Sequence, residues 1–293
     1  MIICADDYGL SPAVSAGIIE LIEANRISAV SCMMIGSELE SAMQQLRLLK
    51  KRIDTGLHLV LTNDQPLTHP KLDSGLVNMQ GDLLPFGKLM QNAYKNRIDH
   101  EALIKEISVQ LKRFTALMGR PPDYIDGHQH IQQLPIIRDA IVEVAQELLK
   151  NNPNTYIRVS QLPRKWLMTT GVSRLGRFFL GNFFIMYTGK SMIRLMAQNN
   201  IPHNRFLLGY YDYMISNKFA DIFHWYLTLH PKENDIFFCH PGYVDQELRN
   251  RDSVVDSRID VLEFLKSNDC MEMMRREDVK INTFSSSSDL RAA

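Results

Sequence analysis

The amino-acid sequence predicts an α/β fold in which a parallel β-sheet, covered by helices, forms a barrel. Short apolar runs alternate with longer amphipathic segments from the first residue onward, and this order is typical of βαβ units with right-handed crossovers. The 293 residues, 45% of them hydrophobic, are enough to build one large α/β barrel. Because no repeat or linker divides the chain, we expect a single domain that spans residues 1–293.

The first 62 residues contain a βαβαβ pattern. The apolar run MIICA predicts the first strand, at 1–5. Ser11 is a good N-cap and Pro12 suits the first helical position. Four apolar residues then recur at helical spacing: Val14, Ile18, Ile19 and Ile22. The pattern continues with three elements: a strand at 29–36, a helix from Ser37 and a strand at 54–62.

The rest of the chain follows the same alternation after an irregular stretch at 63–99, which is rich in proline and glycine. Loops of this length inside compact domains tend to be functional. Helices are predicted at about 100–118 (closed by Gly119), 135–149, 216–229 and 256–268. Strands are predicted at 123–130, 155–161, 235–242 and near 279–284, before a serine-rich tail at 285–288.

The segment at about 162–200 differs from the rest because it is rich in Phe, Met, Leu and Arg. The simplest interpretation is a set of helices that cover one side of the barrel, or a homodimer interface. An amphipathic surface that contacts lipid is an alternative, although glycines and lysines interrupt any long apolar stripe.

Charge and cysteine content exclude several classes of protein. Lys and Arg together number 33, as do Asp and Glu, and the pI is near 7.1, which argues against nucleic acid as a partner. The four cysteines are scattered without a CxxC motif, so we expect free thiols and a cytoplasmic location. The N-terminus has no basic region typical of a signal peptide, and no apolar run is long enough for a transmembrane segment.

Polar side chains lie at the carboxyl ends of four predicted strands. They are Asp6 and Asp7 in ADDYG, His58 in GLHLVLT, Asp126, His128 and His130 in DGHQH, and His240 in CHPGY. In parallel α/β folds these strand ends meet at one rim, where active sites form. We therefore expect an active site at the C-terminal rim of the barrel.

The residue types favour a divalent metal ion, because imidazole nitrogen and carboxylate oxygen suit Zn²⁺ and a three-ligand set leaves a position for water. Residues two apart in a strand share a face, so Asp126, His128 and His130 are expected to point the same way. Adjacent residues of a strand point to opposite faces, so the Asp6 and Asp7 carboxylates can reach the same site only if the first strand ends at these residues. One carboxylate would then bind the metal and the other would contact the metal-bound water. Alternatively, one aspartate caps the following helix and the other is solvated.

Four ordered blocks resemble the YdjC-like carbohydrate deacetylases, a family that includes chitooligosaccharide deacetylases and hopanoid-associated proteins. The blocks are ADDYG, GLHLVLT followed by PLT, GRPPDYIDGHQHIQQLP, and CHPGY. The resemblance implies a distorted (β/α) barrel of the polysaccharide-deacetylase type with a divalent metal in its mouth. The family often has histidine where this chain has Gln129 and Gln132. The resemblance implies that this departure concerns substrate contacts or the groups that orient the metal ligands, rather than the metal itself.

The resemblance also implies roles for individual residues. The metal ligands would be Asp7, His58 and His128, for one divalent ion, with Zn²⁺ favoured over Mg²⁺. Asp6 would be the catalytic base and His240 the general acid. The chemistry of the neighbouring residues, rather than the resemblance, leads us to expect that Asp126 and His130 orient their neighbours and that Arg158 contacts substrate or forms an ion pair.

The sequence therefore predicts a metal-dependent hydrolase that removes the N-acetyl group from an acetylated amino sugar or oligosaccharide. Two alternatives remain at this point. One is hydrolysis of another bond by the same site, such as a different amide, a phosphoester or an ester on a lipid-linked sugar. The other is a sugar-binding barrel without catalytic turnover.

Overall fold

The computed structural model of the protein describes residues 1–49, 53–163, 176–210 and 219–284. Three predictions fall wholly or partly outside these residues. They concern the serine-rich tail, positions 164–175 of the 162–200 segment, and the start of the helix predicted at 216–229.

Seven strands form one sheet in which every pairing is parallel, in the order β5-β4-β3-β2-β1-β7-β6. They are β1 (Ile2–Tyr8), β2 (Ala29–Cys32), β3 (Asp54–Leu59), β4 (Tyr124–Gly127), β5 (Tyr156–Ile157), β6 (Leu207–Leu208) and β7 (Ile236–Cys239). All of these strand residues are buried, as expected for a parallel sheet covered on both faces. The predicted parallel α/β fold is confirmed.

The two edge strands approach each other, and this closes the sheet into a distorted barrel. Ile157 forms an isolated parallel bridge with His203, and its amide donates a 2.9 Å hydrogen bond to the Pro202 carbonyl. The fully buried Asn204 side chain accepts from the Val159 amide at 2.6 Å and donates to the Val159 carbonyl at 3.0 Å. At this junction of the two edge strands, which we call the seam, the Asn204 side chain thus makes the two hydrogen bonds to Val159 that the backbone of a paired strand would otherwise make.

Ten α-helices lie in the described parts of the chain. They are α1 (Pro12–Glu23), α2 (Leu39–Leu48), α3 (Phe86–Tyr94), α4 (His100–Met118), α5 (Ile137–Asn151), α6 (Gly176–Gln198), α7 (Phe219–Leu227), α8 (Gln246–Arg251), α9 (Ser257–Lys266) and α10 (Asn268–Arg276). The predicted caps are confirmed, since the Ser11 side chain accepts from the Val14 amide and Gly119 adopts a left-handed conformation after α4. None of the helices in these parts has a stretch long and apolar enough to cross a membrane.

Several predicted boundaries are wrong. The strand predicted at 29–36 ends at Cys32, and the irregular stretch at 63–99 contains α3. The helix predicted at 256–268 is two helices, because the Ser267 side chain caps a new helix by accepting from the Cys270 amide. Strand β6 and helix α8 were not predicted; at two and six residues they are too short to show periodicity.

The strand predicted near 279–284 is not a strand. Its end is held against the sheet by the buried Asp54 carboxylate, which accepts from the Phe284 amide at 2.7 Å. The Asn282 amide donates to the Met1 carbonyl at 3.1 Å. The segment therefore packs beside the start of the sheet without joining its ladder.

The strand predicted at 123–130 stops at Gly127, and a 3₁₀-helix follows at His128–Gln133. Gln129 and His130 both adopt left-handed backbone conformations, with φ of 57° and 58°. The expectation that Asp126, His128 and His130 share one strand face is therefore wrong. The sharp turn after Gly127 points the side chains of Asp126, His128 and His130 in different directions.

Replacing Asn204 with Ala should lower the free energy of unfolding by about 3 kcal/mol, because both hydrogen-bonding groups of Val159 would lose their partner inside the protein. Urea unfolding followed by circular dichroism would measure this. The matched control is Asn250→Ala on the exposed face of α8, which should leave the midpoint nearly unchanged. Equal midpoints for the two variants would contradict the role of Asn204 in closing the barrel.

Candidate metal centre

The carboxyl ends of neighbouring strands bring the predicted site residues to one rim. His58 in β3 is paired directly with Asp126 in β4. Asp6 and Asp7 lie near the end of β1, and His240 follows β7, the strand beside β1. His128 begins the 3₁₀-helix after β4. This convergence follows from the parallel arrangement of the strands.

Asp6 and Asp7 converge through a backbone irregularity rather than through the end of the strand. Strand β1 continues to Tyr8, but its register against β2 shifts between Ala5 and Tyr8. Within that shift Asp7 has a φ of 70°, a left-handed conformation that is uncommon outside glycine, asparagine and aspartate. The Asp7 carbonyl accepts from the Leu10 amide at 3.0 Å, which closes the turn. Strained backbone of this kind is concentrated at functional sites.

Asp7, His58 and His128 present donor atoms that all lie within 4.8 Å of one another. The Asp7 Oδ1 atom is 3.3 Å from His58 Nε2 and 3.2 Å from His128 Nδ1. Asp7 and His58 are buried, while the His128 side chain is 17% exposed and opens the cluster to solvent. Two imidazole nitrogens and one carboxylate oxygen make a donor set that fits Zn²⁺ and leaves room for other ligands.

The ring of His58 is oriented from behind by Asp126. Asp126 Oδ1 lies 2.7 Å from His58 Nδ1, which leaves Nε2 to face the cluster. The other Asp126 oxygen accepts from Ser31 Oγ at 2.7 Å and lies 2.7 Å from Arg158 Nε. Burial lowers the pKa of His58, but the nearby carboxylates, with Asp126 foremost, outweigh burial and raise it to about 10. The site therefore has a negative field that favours a cation.

Asp6 is held by Arg158 in a bidentate ion pair, with Nη1 to Oδ1 at 2.6 Å and Nη2 to Oδ2 at 2.7 Å. Both side chains are almost completely buried. Burial raises the pKa of Asp6, but the Arg158 guanidinium outweighs it, so the pKa lies well below the ordinary value. Because Arg158 has no exposed surface, its geometry favours the predicted ion pair over contact with substrate.

Asp7 has its own arginine, Arg258, which was not among the predicted site residues. Arg258 Nη2 donates to Asp7 Oδ2 at 2.7 Å and to Asp252 Oδ2 at 2.6 Å. The sequence of α9 contains a hint of this arginine, because Arg258 lies at helical spacing with the apolar residues of the buried face. That face consists of Arg258, Val261, Leu262 and Leu265. A charged residue in an apolar stripe indicates a buried partner.

His240 lies beside this cluster, with Nε2 3.8 Å from Asp7 Oδ2 and a side chain that is 15% exposed. Burial lowers the pKa of His240, although the Asp7 carboxylate opposes the shift. The ring of His130 lies among Tyr210 and Phe238 instead, with ring centroids 5.2 and 5.4 Å away, and its Nδ1 is 2.9 Å from Ser160 Oγ.

The environment of His130 keeps its ring neutral. Burial, assisted by the positive charge of Arg158, lowers the pKa of His130 to about 3. Its contact with Ser160, which follows β5, places His130 against the residues that flank Arg158 rather than in the cluster of Asp7, His58 and His128.

Comparisons with known proteins place this geometry in context. A YdjC-like protein family profile matches residues 1–276. Chitooligosaccharide deacetylases from Yersinia enterocolitica and Yersinia pseudotuberculosis are each 33% identical to this chain over 148 residues. Those alignments cover 50% of this chain and 56% of each relative, so the chain spans about half the length of the curated relatives it matches.

One solved structure covers nearly the whole chain. It is the crystal structure of an Enterococcus faecalis V583 protein described as a cellobiose-phosphate cleavage protein. The two superpose with a TM-score of 0.75 at 21% identity, over 97% of each chain. At that identity the likeness concerns the fold.

Replacing Arg158 with Met should lower the free energy of unfolding by about 3–5 kcal/mol at pH 8, because Asp6 and Asp126 would remain buried without their cation. In the variant, burial would raise the pKa of Asp6 above its value in the unfolded chain. Protonation at lower pH would therefore restore stability, and the difference from the wild type should shrink between pH 8 and pH 5.

Urea titrations across this pH range would measure the effect, with Arg276→Met on the exposed face of α10 as the matched control. A difference from the wild type that stays constant with pH would contradict the electrostatic explanation.

Proposed function

The chain belongs to the YdjC-like protein family, and on that premise we propose that it is a metal-dependent N-deacetylase of acetylated amino sugars or their oligosaccharides. The observation that carries the proposal is the Asp7, His58 and His128 cluster, whose donor atoms lie within 4.8 Å of one another. The adjacent Asp6 supplies a carboxylate that is held apart from this cluster by its own arginine.

The three ligands would be Asp7, His58 and His128. A divalent ion bound there would polarise the acetamide carbonyl and lower the pKa of a water molecule. The donor set favours Zn²⁺ over Mg²⁺, because Mg²⁺ prefers oxygen ligands. The contact from Asp126 to His58 Nδ1 supports this role, since histidine ligands are commonly oriented in this way.

Asp6 would act as the base that accepts a proton from water. A carboxylate has about four acceptor positions. Among the described contacts, Oδ1 accepts from Arg158 and Cys4, whereas Oδ2 accepts from Arg158 alone. Oδ2 therefore retains capacity for one more hydrogen bond. Arg158 would keep Asp6 ionised and fixed in orientation, so the contribution of Asp6 would come from its position rather than from strong basicity, because the same ion pair lowers the pKa of Asp6.

His240 would deliver a proton to the departing amine. It follows β7, the strand beside β1, and its Nε2 lies 3.8 Å from Asp7 Oδ2. Burial lowers its pKa, so a His240 that becomes protonated during turnover would be a stronger acid than an ordinary imidazolium. Such an acid is well suited to protonate a poor leaving group.

The substrate class is inferred from the relatives named chitooligosaccharide deacetylase. We propose an N-acetylated oligosaccharide for this chain as well. The chain shares only about half its length with those relatives, so the proposal concerns the class of substrate and leaves the identity and number of the sugar units to experiment.

Replacing His58 with Ala should remove both bound metal and activity, whereas Asp6→Asn should keep the metal and lower turnover by about 10²–10⁴-fold. The wild type, dialysed against chelator, should lose activity and recover it on addition of Zn²⁺. Metal content by mass spectrometry and acetate release from chitooligosaccharides would measure both properties. His100→Ala, an exposed histidine in α4, is the matched control and should behave as the wild type.

Full activity in a metal-free His58→Ala protein would contradict the proposed metal site. Metal retention with no acetate release from any N-acetylated sugar would contradict the proposed reaction but leave the metal site in place. Loss of metal in Asp6→Asn would contradict the separate roles of the two aspartates.

Replacing His240 with Ala should lower turnover of oligosaccharides about 10²–10³-fold if this residue protonates the leaving amine. The loss should be smaller for an N-acetyl substrate whose leaving amine is a nitroaniline, because its electron-withdrawing ring stabilises negative charge that develops on nitrogen before a proton arrives from water, so the barrier depends less on the enzyme's acid. Comparison of kcat for both substrates, with Asp6→Asn assayed in parallel, would measure this. An equal loss on both substrates would assign His240 to another role.

A further inference from the structure

Arg258 is a fully buried cation beside the proposed metal ligands. It lies in α9, in the first turn of the helix. Its Nε donates to the Val254 carbonyl at 2.7 Å, and its Nη2 donates to both Asp7 and Asp252. These three contacts fix the guanidinium on the helix side of Asp7.

The two oxygens of Asp7 therefore face different partners. Oδ1 faces the two imidazoles, at 3.3 Å from His58 and 3.2 Å from His128. Oδ2 accepts from Arg258 at 2.7 Å, with His240 further away at 3.8 Å. Only Oδ1 points to the centre of the donor cluster. An ion held there would be bound by one oxygen of Asp7.

We propose that Arg258 is a positioning residue that directs a single oxygen of Asp7 to the metal, and that its positive charge holds metal affinity below the value that the three ligands would otherwise give. This inference rests on the proposed metal site. Arg258 acts through Asp7 in two ways: it neutralises the carboxylate when no ion is bound, and it repels an ion that binds.

The two effects of Arg258 on affinity have opposite signs, and the structure indicates which is larger. Loss of Arg258 would loosen Asp7, which weakens binding. However, the strained turn of β1 and the contacts with His58 and His128 also hold Asp7. Loss of the positive charge strengthens binding, and in a buried site that repulsion is weakly screened. The charge effect should therefore exceed the loss of orientation.

The test compares the full-length wild type with Arg258→Gln, Arg258→Lys and Arg251→Gln. Arg251 is the matched control: it is a partly buried arginine in α8 whose ion pairs, among the described residues, are with Asp64 and Glu247 and not with Asp7. The dissociation constant for Zn²⁺ would be measured by competition with a chromophoric chelator at one fixed pH. Thermal unfolding would be recorded with and without Zn²⁺.

We expect Arg258→Gln to bind Zn²⁺ at least tenfold more tightly than the wild type, while its metal-free form melts at a lower temperature. The increase in melting temperature on adding Zn²⁺ should be larger than in the wild type. Arg258→Lys keeps the charge, so its affinity should stay within about threefold of the wild type. Arg251→Gln should change melting temperature without changing affinity.

If metal-free Arg258→Gln does not fold, it can be purified with Zn²⁺, and the rate of metal loss to excess chelator should then be slower than for the wild type. Unchanged or weaker binding by Arg258→Gln would overturn the inference, as would an Arg258→Lys protein that binds as tightly as Arg258→Gln. A wild type that binds no Zn²⁺ would instead overturn the proposed function itself.

Discussion

Neutralisation of three buried carboxylates is the constraint on which the whole site depends. Asp6, Asp7 and Asp126 are each at most 1% exposed, and an unpaired buried charge is strongly destabilising. Arg158 bridges Asp6 and Asp126, whereas a second arginine, Arg258, pairs with Asp7. Arg158 follows β5 and Arg258 lies in α9, so the site exists only when these two elements have packed around the end of β1.

The pairings also give the two adjacent aspartates different partners. Each carboxylate is bound by a different guanidinium, and the left-handed turn at Asp7 sends its side chain towards the histidines. Only Asp7 among the two aspartates belongs to the donor cluster. An ordinary strand would have placed the two side chains on opposite faces of the sheet. A single irregularity in β1 therefore brings two neighbouring carboxylates to one rim of the sheet, where each has its own partners.

Gln129 and Gln132, the two glutamines that flank His130 in the turn after β4, have different environments. Gln132 is fully buried, and its Nε2 donates to the Arg158 carbonyl at 3.1 Å and to Ser160 Oγ at 3.3 Å. It therefore supports the segment that carries Arg158. Gln129 is exposed next to His128, in a left-handed conformation. Of the two, Gln129 is the one that solvent can reach.

The sequence by itself determined the parallel α/β fold, the strand ends at which polar residues gather, the family, and the residues that form the donor cluster. Periodicity, caps and motif spacing are local properties, and they can be read along the chain. The tertiary structure alone decided the turn after β4, the seam made by Asn204, and the partnership of Arg258 with Asp7, 251 positions away. Contacts of that kind depend on sheet register and on closure of the barrel. They join residues whose separation along the chain carries no periodic signal.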